Sequence, residues 1–336
     1  MNKYFDIKRT KMIDEAALGH KPRQWPMALL VFLLVFIVAS AIDSTISSLP
    51  VTVKFAIKLG DIMAAGIDIS SVDIVSLAYD IEDSMPIWYE ALTLFSTIAI
   101  IITSVLYCKL FEKRNIATMG IRKKDAVPEY ALGLVIGLGM FALSVLLSFA
   151  FGASKTGINS SISIGYIILF FFAFVVQAAA EEFLLRGFFM VSLSRDYAPA
   201  IAVAISSIVF AILHIGNDGF GIVAFINIFL FGAFLGIYVF KRGDLWGACA
   251  IHTAWNFAQG NIFGVSVSGM KILPSVCTTE IDTSKKILNG GTFGLEGGLC
   301  VTMVILIATI VVISLKTKKS ALSDTERTSD NENANV

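Results

Sequence analysis

Apolar residues along the chain gather in eight runs, each near the length that crosses a bilayer and each bounded by charge, glycine or proline. The runs are Trp25 to Ile42, Ile87 to Tyr107, Tyr130 to Phe151, Ile164 to Leu193, Ala198 to Ile215, Gly221 to Phe240, Leu245 to Phe263 and Gly298 to Leu315. In hydrocarbon these runs must be helical, because an open strand would leave backbone groups unpaired. The pattern therefore predicts an all-α fold, a polytopic transmembrane helical bundle of about eight helices. The fourth run continues through polar Gln177, Glu181, Glu182 and Arg186, so its end is expected to reach the interface. The plan divides the chain into a basic N-terminal segment (1–24), a transmembrane domain (25–315) with an insertion at 43–86, and a polar tail (316–336) expected to be disordered. Val51 to Ala78 reads as short helices on the outer face, able to cover the domain or bind a partner.

Composition strengthens this picture. Hydrophobic residues make up 56% of the 336 and charged residues 15%, which a water-soluble domain of this size does not tolerate. Lys and Arg occur in short runs between apolar segments, with no single basic patch, which argues against nucleic acid as a partner. These runs precede the first helix, separate the second from the third and the sixth from the seventh, and follow the last, so both termini are expected in the cytoplasm. Ala39-Ser40-Ala41 resembles a signal-peptidase site, but the long polar stretch before it favours an uncleaved first helix. The four cysteines have neither disulfide nor metal-ligand spacing. No internal repeat is evident, which weighs against a proton-relaying transporter.

An ionisable residue in an apolar span is costly and is by default a functional-site hypothesis. One such place is Gln177 to Gly187. Neighbouring helical residues point about 100° apart, so Glu181 and Glu182 are expected in different environments. Glu182 and Arg186 have the i, i+4 spacing of a salt bridge, which leaves Glu181 without a cation. The competing reading is a structural charge cluster at the boundary. The second place is Phe210 with His214 on one face of the fifth helix, and the third is His252 with Asn256 on one face of the seventh. His20, the remaining histidine, is expected to be solvated.

A carboxylate and two imidazoles suit either a zinc site, with no HExxH motif to support it, or metal-free acid–base chemistry. In the second case Glu181, adjusted by His214, takes a proton from water as it attacks a carbonyl carbon. His252 and Asn256 then donate to the oxyanion, a role suited to an amide that cannot be a base.

The blocks Glu181-Glu182-xxx-Arg186, Phe210-xxx-His214 and His252-xxx-Asn256 resemble, in order and spacing, the motifs of the CAAX prenyl protease and bacteriocin-processing (CPBP/Abi) family of intramembrane glutamic endopeptidases. The likeness covers about Ile164 to Phe263. It implies an eight-helix core with a cavity open to the cytoplasm or the lipid, and no cofactor or metal. It also implies Glu181 and His214 activating water, His252 and Asn256 at the oxyanion, and Glu182, Arg186 and Phe210 in support. The implied partners are membrane lipid, a membrane-associated peptide or protein substrate, and a membrane protein partner that the chain regulates. The style of the loops is bacterial, where bacteriocin maturation or self-immunity would be the setting. The alternatives are a non-catalytic immunity or adaptor protein and a zinc-dependent membrane metalloprotease.

One expectation conflicts with this convergence. At 1.5 Å per residue, His214 would lie roughly 24 Å along its helix from Ala198, and His252 only about 10 Å from Leu245. Level helix starts would keep the two apart, so the fifth helix must start deeper or tilt, or the boundaries must shift.

Overall fold

The computed structural model describes residues 7–272 and 274–318. Every one of the eight apolar runs is helical. A short N-terminal helix, α1 (Lys11–Ala17), is followed by α2 (Trp25–Ala64), α3 (Ile74–Asp83), α4 (Trp88–Leu110), α5 (Ala126–Ala150), α6 (Ile164–Ser194), α7 (Pro199–Ile212), α8 (Ile222–Arg242), α9 (Trp246–Phe257) and α10 (Leu299–Ser314). Among the described residues, five helices (α2, α4, α5, α6 and α8) are long and apolar enough to cross a membrane. The other three runs give shorter helices. One of them, α9, is prolonged by a π-helical turn at Ala258–Ile262.

Two expectations about the early chain are corrected. The first helix does not end at Ile42 but continues to Ala64, so Val51 to Ala64 belongs to it and the separate short helices of this stretch are confined to a single turn at Ile69–Ser71 and α3. Its 40 residues extend roughly 60 Å, about twice the hydrocarbon thickness. The Ser/Thr-rich stretch and Pro50 look like a helix end. Instead, Thr45 Oγ1 donates back to Ala41 O at 2.7 Å and Ser47 Oγ to Ser44 O at 3.3 Å, which satisfies the hydroxyls inside the helix. Asp43 accepts from Ser96 Oγ and ties α2 to α4. The second correction concerns His20, which is largely buried and donates from Nε2 to Asp196 Oδ2 at 2.8 Å.

The basic stretches meet at one end of the bundle. There Arg122 pairs with Glu15, Arg195 and Arg114 with Glu112, and Lys318 with Asp125 and Glu129. The expected disordered tail lies outside the described residues from 319 onward. A short antiparallel pair, β1 (Ser154–Ile158) with β2 (Cys277–Ile281), joins the α5–α6 loop to the segment after α9. No periodic signal in the sequence marks it.

The packing that places the site is α5 against α9. Gly133 and Gly137 lie one turn apart on α5. A Cβ at the first would strike Gly247 O, and at the second Ile251 O. Small residues at this spacing let two helix backbones approach where lipid supplies no hydrophobic drive. Because α9 carries His252 and Asn256, this approach fixes how far both side chains reach towards α6.

Candidate active site

Glu181 and Glu182 are the last two residues of the α-helical part of α6, and a π-helical stretch, Phe183–Met190, follows directly. Such insertions re-aim side chains and occur often at functional sites. Glu182 and Arg186 are both fully buried, and Arg186 Nη1 donates to Glu182 Oε1 at 2.9 Å, as the i, i+4 spacing predicts. The same oxygen lies 2.9 Å from His252 Nδ1. A carboxylate ionised by its guanidinium partner can only accept, so Nδ1 carries the proton and donates. Arg186 also stacks over the Phe210 ring, 4.5 Å from its centroid. Glu182 is thus a hub between a cation and an imidazole.

Glu181 is different. Its side chain is 27% exposed, no Lys or Arg pairs with it among the described residues, and its Oε2 accepts no hydrogen bond within the protein. The expectation that the two glutamates occupy different environments holds for burial and charge but fails for contact. His252 Nε2 lies 3.6 Å from Glu181 Oε2, so one imidazole stands between both carboxylates. The two glutamates diverge around the helix, and a ring on the facing helix reaches both.

His214 corrects the fifth-helix assignment. α7 ends at Ile212, two residues before His214, in a chain that turns through Gly216 and Gly219. Nδ1 donates to Phe210 O at 2.8 Å and so satisfies a carbonyl that the helix end leaves free. Its Nε2 is left as an acceptor. Phe210 lies against both imidazoles, edge to face, at 4.8 Å from His214 and 6.0 Å from His252. The two histidines do converge, with the fifth helix shorter than its apolar run.

Asn256 Nδ2 donates to Gln177 Oε1 at 3.0 Å, and Gln177 Nε2 donates to Glu181 Oε1 at 2.6 Å. Gln177 therefore links Asn256 to Glu181 and belongs to the constellation. The signal available in the sequence was its position one turn before Glu181 in an otherwise apolar run. Glu181, His214, His252 and Asn256 line one cavity of about 240 Å³ with Gln177 and Phe210, and apolar walls come from α2, α4, α6 and α8. Asn227, Trp255, Ser268 and Glu296 also line it. Among the described residues no group of three or more His, Cys, Asp or Glu side chains is arranged to hold a metal ion.

Residues 163–258 match the family model described as type II CAAX prenyl endopeptidase Rce1-like. The motif core is therefore similar to this family. No curated protein and no solved structure matches the chain. The match runs from the residue before α6 to the π turn after α9, so every motif residue of the Rce1-like core lies inside it while α2, α4, α5 and α10 lie outside. With its membrane-spanning helices, the chain is a multi-pass membrane protein whose core is similar to that of a family of membrane proteases.

Proposed function

We propose that the chain is a metal-independent intramembrane glutamic endopeptidase that hydrolyses membrane-associated peptides or proteins at the Glu181 cavity. The observation that carries this reading is a carboxylate that no Lys or Arg among the described residues pairs with, in a largely apolar cavity also lined by two imidazoles, one of them 3.6 Å away, whose free nitrogens are set by fixed partners. Glu181 takes a proton from water as the oxygen attacks the scissile carbonyl, and His214 Nε2 accepts a hydrogen bond that orients the same water. The tetrahedral oxyanion needs donors. Asn256 has one amide hydrogen on Gln177 and a second to give. Donation from His252 requires a proton at Nε2 as well as at Nδ1, so Asn256 is the donor that is ready without a change of protonation. Glu181 then returns its proton to the leaving amine.

The gathering of basic stretches at one end supports a cytoplasmic location for both termini, as the positive-inside rule expects. In this reading the bundle lies in a cell membrane, and a membrane protein is a possible partner.

The test is mass spectrometry of peptide termini in cells carrying the wild type or Glu181→Gln. That substitution replaces a base by an amide at nearly constant shape. The expected result is termini that disappear with Glu181→Gln while the protein stays folded and inserted. Unchanged termini, or full turnover by purified Glu181→Gln protein, would remove Glu181 as the base.

A further inference from the structure

Glu296 lines the same cavity as Glu181 but comes from the segment before α10, beyond the matched residues. It is 8% exposed. A carboxylate buried in such a place is costly unless donors or a cation compensate it. Four donors do. Oε1 accepts from Trp255 Nε1 at 2.9 Å, and Oε2 accepts from Gln259 Nε2 at 3.2 Å and from Ser268 N and Oγ, each at 2.9 Å.

The donors come from two separate places. Trp255 and Gln259 belong to α9 and its π turn, next to Asn256. Ser268 lies at the tip of a tight turn in which Val267 and Met270 exchange backbone hydrogen bonds of 2.7 and 2.9 Å. Ser268 has φ 46° and Gly269 φ 91°, both left-handed. Such a backbone is costly for serine and persists only where surrounding contacts hold it. Here Glu296 takes both Ser268 donors, and Gly269 N donates to Phe293 O at 2.9 Å. Val267, Ser268 and Met270 line the cavity. On the other side the Trp255 indole lies 4.9 Å from the Phe231 ring, whose centroid is 5.4 Å from that of His252.

We infer that Glu296 is a positioning residue of the site, one that seats the Val267–Met270 turn as a wall of the cavity and holds Trp255 behind the His252 imidazole. The seated wall limits how far a peptide advances past Glu181 and so selects the bond presented to the attacking water. This consequence rests on the peptidase reading; the seating itself does not.

The experiment uses the full-length protein in detergent and has two readouts. The first needs no substrate. In a Cys277→Ser background the remaining cysteines are buried, and Val267→Cys, at a position 3% exposed, reports on the turn through its rate of maleimide labelling. Glu296→Gln should raise that rate about tenfold, and Ser268→Ala, which leaves the carboxylate in place, by a smaller factor. Unchanged labelling in both variants would overturn the seating.

The second readout uses a pool of synthetic peptides with an apolar segment of about 20 residues followed by a randomised decapeptide. Glu296→Gln should raise KM about tenfold, more than it lowers kcat, and should spread cleavage over neighbouring bonds. A purely scaffolding role would shrink the active fraction and leave KM and the cleaved bond as in the wild type, and that result would also overturn the inference. If the wild type cleaves no peptide, the peptidase reading fails while the labelling still decides the seating.

Discussion

The buried Glu182–Arg186 pair permits a quantitative prediction. Both side chains are fully buried, and Glu182 Oε1 serves two donors, Arg186 Nη1 and His252 Nδ1. Arg186 Nε and Nη2 have no acceptor within the protein, so Glu182 is the only anion holding this guanidinium among the described residues. Removing one partner of a buried pair leaves an uncompensated charge and costs about 3–5 kcal/mol. Glu182→Ala is therefore expected to cost that much. Arg186→Met should cost about as much, because it strands the anion with only an imidazole donor. Replacing both by apolar residues of similar volume is commonly neutral or stabilising. Glu182→Leu/Arg186→Met should then recover most of the stability, which makes the cycle non-additive by several kcal/mol.

Function should not recover with it. Without Glu182, His252 loses the acceptor that fixes its Nδ1 proton, and loss of the group that orients a working imidazole typically costs at least about 10²-fold in turnover. The assay is thermal unfolding in one detergent for wild type, both single variants and the double variant, together with peptide cleavage. Single-variant costs under about 1 kcal/mol, or a double variant as unstable as the sum of the singles, would refute the hub.

Asn256→Ala should lower kcat by about 10²- to 10³-fold with little change in KM, since an oxyanion needs the donor more than a ground-state carbonyl does. Steady-state kinetics with thermal unfolding separates this from an interhelical anchor, whose loss would cost about 0.6 kcal/mol and leave turnover normal. Gly137→Ala should push α9 from α5, costing about 1–3 kcal/mol and reducing activity, whereas Gly139→Ala, where the space is open, should do neither. Activity should survive chelators, with no stoichiometric zinc in elemental analysis. One zinc per chain, lost and restored together with activity, would replace the glutamic mechanism.

What the sequence made legible was local. Eight apolar runs became helices, and the i, i+4 relation of Glu182 to Arg186 became a 2.9 Å bond. His214 was found as a site candidate while its element was misassigned, because an apolar run continues through Leu213 and Ile215 although the helix has already ended. The end of α2 was misjudged for the opposite reason, since the run was bounded by the charge of Asp43, which accepts from Ser96 while the helix continues to Ala64. Gln177 carried a weak signal, its amide one turn before Glu181. Glu296 carried none, because its significance comes from donors 28 to 41 residues earlier in the chain. Distances of that kind are set by tertiary packing, which periodicity does not encode.

The separation of the two glutamates explains how a low-dielectric site keeps one carboxylate available. Two adjacent acids in a membrane would both be too costly if both lacked partners. Here the chain gives one a guanidinium and an imidazole, both on the same oxygen of Glu182, whose second oxygen has no partner among the described residues, and leaves the other with no cation and a single amide donor from Gln177. The imidazole that serves Glu182 through Nδ1 brings its other nitrogen to Glu181, so the ion pair that stabilises the fold also fixes the ring facing the base. It follows that the stability and the proposed chemistry of this core share one contact, the bond from His252 Nδ1 to Glu182. Lost stability can then be repaired by apolar replacement, whereas lost chemistry cannot, because no apolar pair supplies an acceptor to the imidazole.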